Sequence, residues 1–239
     1  MKKALVHLHL AVILWGFTAI FGKLITLEAP MLVWYRMLLT AGFMLLILLT
    51  GRKWVTVPAK GVQQMTRIGV LMAAHWVAFY AAIKFSNASI ALVCLSTSSI
   101  FTSLLEPWMN KTRHRWEEIS LGILALGGMY CIYHFQDLYA LGIIFGIVAA
   151  MLAAVFTDDN KRIASDYPAR TMVFYEMTTG FIVCVFIAPR VVLFPSANTV
   201  ATWQADMSGL TDGFPGNLLH TPNDWIWLVI MALCCTVWV

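Results

Sequence analysis

Charged residues are scarce in this sequence. Lys, Arg, Asp and Glu make up 12% of the 239 residues, whereas an ordinary soluble domain carries about 25%. Hydrophobic residues make up 60%, so the chain has too little polar surface to cover a water-soluble globule. The composition therefore argues against a soluble fold and predicts an all-α membrane protein.

Signatures of catalytic and metal sites are missing as well. The sequence contains no GxSxG, HExxH or GxGD motif and no P-loop, so neither hydrolase chemistry nor ATP hydrolysis is expected. The five cysteines lie in apolar segments without a CxxC pair, which argues against disulfides and zinc. His7 and His9 have no third ligand nearby, so we predict no metal and no cofactor.

Apolar segments long enough to cross a bilayer recur along the chain. Seven spans are predicted, at residues 5–27, 31–50, 68–85, 88–109, 119–135, 138–157 and 171–194. An eighth begins at Asp224 and stops at Val239 without a flanking charge, which indicates truncation. The segment between Pro195 and Asp224 is rich in Gly, Pro, Asn and Asp, and we interpret it as a solvated loop or an extracellular lid.

Positive charges are distributed unevenly around these spans. With the N-terminus inside, twelve Lys and Arg residues fall on the cytoplasmic side, and only Lys23, Arg36, Lys84 and Arg190 fall outside. Because basic loops stay in the cytoplasm, we predict a multi-pass protein of the plasma (cell inner) membrane with a cytoplasmic N-terminus. The lipid bilayer is its expected partner. Nucleic acid is not, because the basic residues form no stripe.

A fixed offset of 138 residues aligns the chain with itself. The offset pairs Lys23 with Lys161, Ile25 with Ile163, Glu28 with Asp166, Pro30 with Pro168, Thr40 with Thr178, Gly42 with Gly180 and Phe43 with Phe181. Five spans precede the point where the repeated sequence begins again. Because five is an odd number of crossings, the second copy is inverted in the membrane relative to the first. We therefore predict a bundle of two inverted five-helix repeats, residues 1–136 and residues 137–239, the second incomplete in its third helix.

Short motifs give the chain a resemblance to a known family. Trp15 and Gly16 in the first helix, Pro30 and Arg36 in the second, and KFSNASIAL after the third resemble the EamA-like family of the drug/metabolite transporter superfamily. The resemblance implies ten helices around a central cavity and a secondary transporter of small organic metabolites or drugs that works by alternating access. Ser98 and Ser99 stand where the family often has a proline, which puts any kink there in doubt. An enzyme that acts on lipid or small substrates and a non-transporting receptor or scaffold stay open as alternatives.

Polar and aromatic side chains within the spans are the candidate substrate site. The predicted substrate-binding residues are Trp15, Thr18, His75, Trp76, Phe79, Tyr80, Ser96, Ser99 and Tyr175. The four from the third helix share one side, which suits planar or amphipathic solutes, although aromatic packing around a satisfied histidine is the alternative. Ser96 and Ser99 lie at i and i+3 on one face, and hydroxyl bonds to helix carbonyls are their alternative.

Two charged residues are candidates for coupling and gating. Glu176 lies about six residues into its helix, where a carboxylate would serve as a proton acceptor for coupled export. The alternatives are an ion pair between helices or access by cytoplasmic water. Arg36 is a candidate for an outer gate or for binding an anionic group, and reaching out to the interface is its alternative.

Other residues are assigned to structure. Asp158, Asp159 and Glu106 are expected to be solvated at helix ends. Small residues recur every fourth position on the sixth helix, at Gly142, Gly146, Ala150 and Ala154. Such a row lets another helix approach closely, and we assign it to packing between the halves or between protomers of a homodimer.

Overall fold

The computed structural model describes residues 2–25, 27–51, 55–111, 116–133, 139–193 and 222–233. Within these ranges the chain is helical and has no strands. The helices are α1 (Lys2–Leu24), α2 (Ala29–Thr50), α3 (Ala59–Phe85), α4 (Ala88–Ser96), α5 (Ser98–Asn110), α6 (Trp116–Tyr133), α7 (Ala140–Ile163), α8 (Ala169–Leu193) and α9 (Pro222–Ala232).

Several of these helices can span a membrane. Among the described residues, five helical segments are long and apolar enough: Ala29–Thr50, Ala59–Phe85, Ala88–Asn110, Ala140–Ile163 and Ala169–Phe186, with His9–Leu24 as a shorter apolar helix. The prediction of an all-α multi-pass membrane protein is confirmed. The predicted loop or lid lies outside the described residues, apart from its last three, which form the start of α9.

The third helix is longer than its apolar run. It begins at Ala59, directly after Pro58, rather than at the predicted residue 68. Its 27 residues extend over about 40 Å at 1.5 Å per residue, beyond a hydrocarbon core of about 30 Å. Gln63 and Arg67 lie in its first turns, so the polar N-terminal part of α3 extends past the apolar layer.

The predicted fourth span is two helices, α4 and α5, with a break at Thr97. Three hydroxyl groups donate to carbonyl oxygens around the break: Ser96 Oγ to Val93 at 2.6 Å, Thr97 Oγ1 to Cys94 at 2.6 Å, and Ser99 Oγ to Ser96 at 3.0 Å. Hydroxyls that bond back to carbonyls bend helices, so this break needs no proline.

Small residues let the helices of the two predicted halves approach closely. A Cβ built on Gly142 would lie 2.6 Å from the Cβ of Ser86, and one on Gly146 would lie 2.5 Å from the Cβ of Cys94. These contacts place α7 against α3 and α4. Two glycines of the small-residue row on α7 therefore pack against helices of the first predicted half, as the first of its two assignments requires.

Helix α7 runs antiparallel to α3. Arg67 contacts Asp159, His75 contacts Ala149 and Ser86 lies against Gly142, so the residue numbers rise along one helix as they fall along the other. Lys84 donates a hydrogen bond to the carbonyl of Ile25, which places the end of α1 beside the end of α3. We call the two ends of the bundle the Lys84 end and the Asp159 end. Lys23 lies at the first and Lys161 at the second.

Candidate functional site

A buried arginine sits between two aromatic side chains of α3. Arg36 is 3% exposed, and its guanidinium carbon lies 3.7 Å from the ring centroid of Trp76. Its Nη1 donates to the hydroxyl of Tyr80 at 2.5 Å. A guanidinium stacked on an indole and bonded to a phenol is held by cation–π attraction as well as by the hydrogen bond. The alternative that Arg36 reaches out to the interface is wrong, because these rings enclose its charge. We call these three residues the Arg36 cluster.

Tyr80 connects the Arg36 cluster to the last described helix. Its side chain is fully buried, and its hydroxyl donates to the sulfur of Met231 in α9 at 3.0 Å. Further ring contacts surround the cluster and join α1, α2, α8 and α9. They are Phe21 with Trp227 at 5.5 Å, Trp34 with Phe181 at 5.5 Å, and Tyr35 with Trp225 at 5.2 Å between centroids. Helices from both predicted halves therefore meet around the Arg36 cluster.

His75 is fixed by one hydrogen bond and two rings. Its Nδ1 donates to the carbonyl oxygen of Ala149 at 2.8 Å, which ties α3 to α7. The ring centroid lies 6.2 Å from that of Phe79 and 5.3 Å from that of Phe156, and both His75 and Phe79 are buried. This is the geometry of a satisfied histidine in an aromatic core, the alternative considered for it. The shared side of His75, Trp76, Phe79 and Tyr80 faces the interior of the bundle.

Glu176 is a buried carboxylate between α8, α3 and α7. Its side chain is 1% exposed, and its backbone lies against Gly69 of α3. The side chain of Asn160 in α7 hydrogen-bonds to the carboxylate, while the Oε1 atom has no hydrogen-bond partner in the described part of the chain. Within that part no cationic side chain pairs with Glu176, so the alternative of an ion pair is not what the structure shows.

The remaining predicted substrate residues do not join the Arg36 cluster. Trp15 is 56% exposed on α1, whereas Thr18 is buried one turn further along. Ser96 and Ser99 are exposed and bond to carbonyls of their own span, as their alternative proposed. Tyr175 is half-buried in a separate cluster with Met65 and Ile68 toward the Asp159 end. The contacts described above therefore bring together predicted residues of α2 and α3.

A cleft of about 370 Å³ opens elsewhere, between α5, α6 and α7. Its walls are formed by Ser98, Ser99, Thr102, Leu121, Ala153, Ala154 and Thr157. Ser99 is the one predicted site residue on these walls. We call this feature the α5 cleft. Its hydroxyl groups were visible in the sequence, but their meeting depends on how α5 packs on α7 after the break at Thr97.

Charged and polar side chains form a network of ion pairs and hydrogen bonds at the Asp159 end. Arg67 Nη2 lies 2.5 Å from Asp159 Oδ1, and Arg162 Nη2 lies 3.1 Å from Asp158 Oδ2. Asn110 donates to Asp158 Oδ1 at 2.6 Å and accepts from Arg162 Nε at 2.9 Å. The prediction that Asp158 and Asp159 are solvated is wrong, because these partners from α3 and α5 cover both carboxylates to 3% exposure.

Beside this network, Lys161 pairs with Glu106 at the surface. The charge run at the end of α7 was the only signal of the network in the sequence. It did not show which side chains would cover the two aspartates.

The Lys84 end holds a smaller charged pair. Glu28 precedes α2 and is half-buried beside Lys84. Burial raises the pKa of the Glu28 carboxyl, and the charge of Lys84 offsets part of that rise. The lysine also binds the end of α1 through the Ile25 carbonyl, so this pair joins three helices.

Comparison with known proteins gives one match. The family model described as EamA-like transporter family matches residues 2–134, which is more than half of the chain. Neither the curated proteins nor the solved structures give a match.

Proposed function

Because the chain belongs to the EamA-like transporter family, we propose that it is a secondary transporter that moves a small organic metabolite or drug across a membrane by alternating access. Members of this family are transporters and not enzymes, which favours this function over a lipid-directed enzyme. Family membership also favours transport over a function as a non-transporting receptor or scaffold.

The observation that carries this proposal is reciprocal packing between the halves. The offset of 138 residues relates α1 to α7 and α2 to α8, and chain order relates α3 to α9. Helix α2 packs against its own counterpart α8. Contacts of α3 with α8 and α7 have counterparts in contacts of α9 with α2 and α1. Two inverted repeats related by one symmetry operation should make matching pairs of helix contacts, as these helices do. Lys23 and Lys161 lie at opposite ends of the bundle, which supports the same arrangement.

The Arg36 cluster is the substrate site that we propose. It lies where α2 and α3 meet α9, so both halves would contact a solute bound there. If the halves separate around the cluster, Trp76 and Tyr80 would supply flat rings for a planar or amphipathic solute to stack on, with Phe79 and His75 beside them. Trp15, Thr18, Ser96, Ser99 and Tyr175 stay predictions from the sequence. So do the plasma-membrane location, the cytoplasmic N-terminus and a homodimer.

Glu176 is the proton acceptor that we propose for coupling. Within the described part of the chain no cation pairs with the buried Glu176 carboxylate, and Asn160 can bond to it whether or not it carries a proton. Its place between α3, α7 and α8 would expose it to water whenever the halves separate at the Asp159 end. Protonation would then follow the orientation of the halves, as coupling requires.

Flux measurements in proteoliposomes test both proposals. Amino acids, nucleobases and cationic dyes are offered with and without a pH gradient. Wild-type protein should accumulate at least one class when the gradient is imposed. Glu176→Gln should lose that accumulation and keep solute exchange, whereas the control Glu106→Gln, which removes a half-buried carboxylate paired with Lys161, should keep both. Gradient-driven uptake by Glu176→Gln would exclude the coupling role. Hydrolysis of lipid without flux of any solute would favour the enzyme.

A further inference from the structure

The α5 cleft carries hydroxyl groups on a mostly apolar wall. Ser98, Ser99 and Thr102 contribute from α5 and Thr157 contributes from α7, while the other lining residues are Leu121, Ala153 and Ala154. A volume of about 370 Å³ falls in the range of small-molecule sites, about 300 to 1,000 Å³. Apolar walls with a few converging polar groups are the usual composition of such sites.

The hydrogen bonds already made in the cleft limit what it can bind. Ser99 donates to the carbonyl of Ser96 at 3.0 Å, and Thr102 donates to the carbonyl of Ser98 at 2.8 Å. A hydroxyl has one proton and two lone pairs. Both protons are committed within the helix, so these two side chains offer acceptors to the cleft. A ligand that supplies N–H or O–H donors therefore matches Ser99 and Thr102, while the hydroxyls of Ser98 and Thr157 can donate or accept.

Charge also limits the ligand. None of the lining residues is ionisable. The charged groups nearest to the cleft on α5 and α7 pair with each other, Glu106 with Lys161 and Asp158 with Arg162, and Glu117, one turn before Leu121 on α6, is exposed to solvent. An ion in an apolar cleft without a counter-charge pays a large desolvation cost, so a neutral ligand is favoured over either ion.

We propose that the α5 cleft binds an uncharged solute that combines a small apolar body with N–H or O–H donors. The site is separate from the Arg36 cluster, because none of its lining residues belongs to that cluster. It goes beyond the proposed transport function, since binding in the cleft can be measured whether or not the chain moves a solute.

Protection of an introduced thiol tests the proposal. Thr157 is an exposed residue of the cleft, and Thr157→Cys can be labelled with a maleimide in nanodiscs while peptide mass spectrometry reads each cysteine separately. The native Cys131 is exposed on α6 and serves as an internal control, since it is not among the lining residues. Four probes of one size separate the chemistries: benzamide is neutral with donors, methyl benzoate is neutral without donors, benzoate is an anion and benzamidinium is a cation.

Benzamide should slow labelling at position 157 about threefold to tenfold relative to methyl benzoate, the ratio that one hydrogen bond provides. Labelling of Cys131 should not change. Thr102→Val, which keeps the shape of the side chain, should abolish the difference when combined with Thr157→Cys, and Ser99→Ala should reduce it.

Three results would overturn the proposal. Equal protection by methyl benzoate would indicate an apolar groove that an acyl chain can fill. Stronger protection by either ion would exclude a neutral ligand. Absence of protection by all four probes would exclude the site. Each result is independent of the flux measurements, so failure here and failure of the transport proposal can be told apart.

Discussion

Replacing Arg67 should destabilise the protein more than replacing its partner Asp159. The two side chains lie 2.5 Å apart, but the arginine is 62% exposed and the aspartate is 3% exposed. Removing the exposed partner leaves a buried carboxylate behind. Removing the buried partner leaves an arginine that is free to enter water. The asymmetry of burial therefore predicts an asymmetry of cost.

The size of the difference follows from what remains around the carboxylate. In Arg67→Gln, Arg162 would still lie 3.9 Å from Asp159, as the nearest cation among the described residues. That residual contact lowers the cost below the 3–5 kcal/mol of a fully broken buried pair, to about 2–3 kcal/mol. Asp159→Asn releases a solvent-exposed cation and should cost about 1 kcal/mol or less. The double variant should resemble Asp159→Asn, because no unpaired carboxylate is left.

Unfolding of the purified protein in mixed micelles, titrated with SDS and followed by tryptophan fluorescence, measures these free energies. Arg170→Gln is a control, since Arg170 is an exposed arginine just beyond the network and should change the free energy by less than about 0.5 kcal/mol. The reasoning fails if Asp159→Asn is the more costly change. It also fails if the double variant is as unstable as Arg67→Gln, since the loss would then not come from an unpaired carboxylate.

Two further variants test the packing and the charged pair at the Lys84 end. Gly69→Ala should lower the free energy of unfolding by about 1–3 kcal/mol, because its Cβ would lie 2.5 Å from the carbonyl oxygen of Glu176. Gly42→Ala meets nothing within 4 Å and should be neutral or stabilising, so an equal loss in both would refute the close approach of α3 and α8.

For Glu28, ionisation costs the folded state more than the unfolded state, because burial raises the folded pKa. The free energy of unfolding should therefore fall as pH rises from the ordinary pKa of a glutamate to the raised one. Glu28→Gln should lack this decrease in parallel titrations, and an identical pH profile for both proteins would contradict it.

Helix positions were predictable from the sequence because hydropathy follows them directly. The limits of α2 and α8 differ from the predicted spans by two residues or fewer. The start of α3 at Ala59 was not predicted, since Gln63 and Arg67 lower the hydropathy of a turn that is nevertheless helical. Hydropathy predicts which part of a helix lies in the hydrocarbon layer, but it does not show how far the helix continues beyond that layer.

The environments of charged residues were not predictable in the same way. Arg36 bonds to Tyr80, which lies 44 positions further along the chain. No local sequence pattern can predict a contact between residues so far apart. Asp159 depends on Arg67, 92 positions away, for its cover. A lone charge in an apolar span signals a function or a partner, but which partner it has is decided when helices pack.

The break at Thr97 differs in one physical respect from a bend made by proline. A proline ring blocks the carbonyl four residues before it, so the helix cannot become straight without a clash. Thr97 retains its N–H group, which bonds to the Cys94 carbonyl at 3.1 Å, and its hydroxyl uses the same oxygen. The fourth span is therefore interrupted by hydrogen bonds alone, without the steric block that a proline ring would impose on the preceding turn.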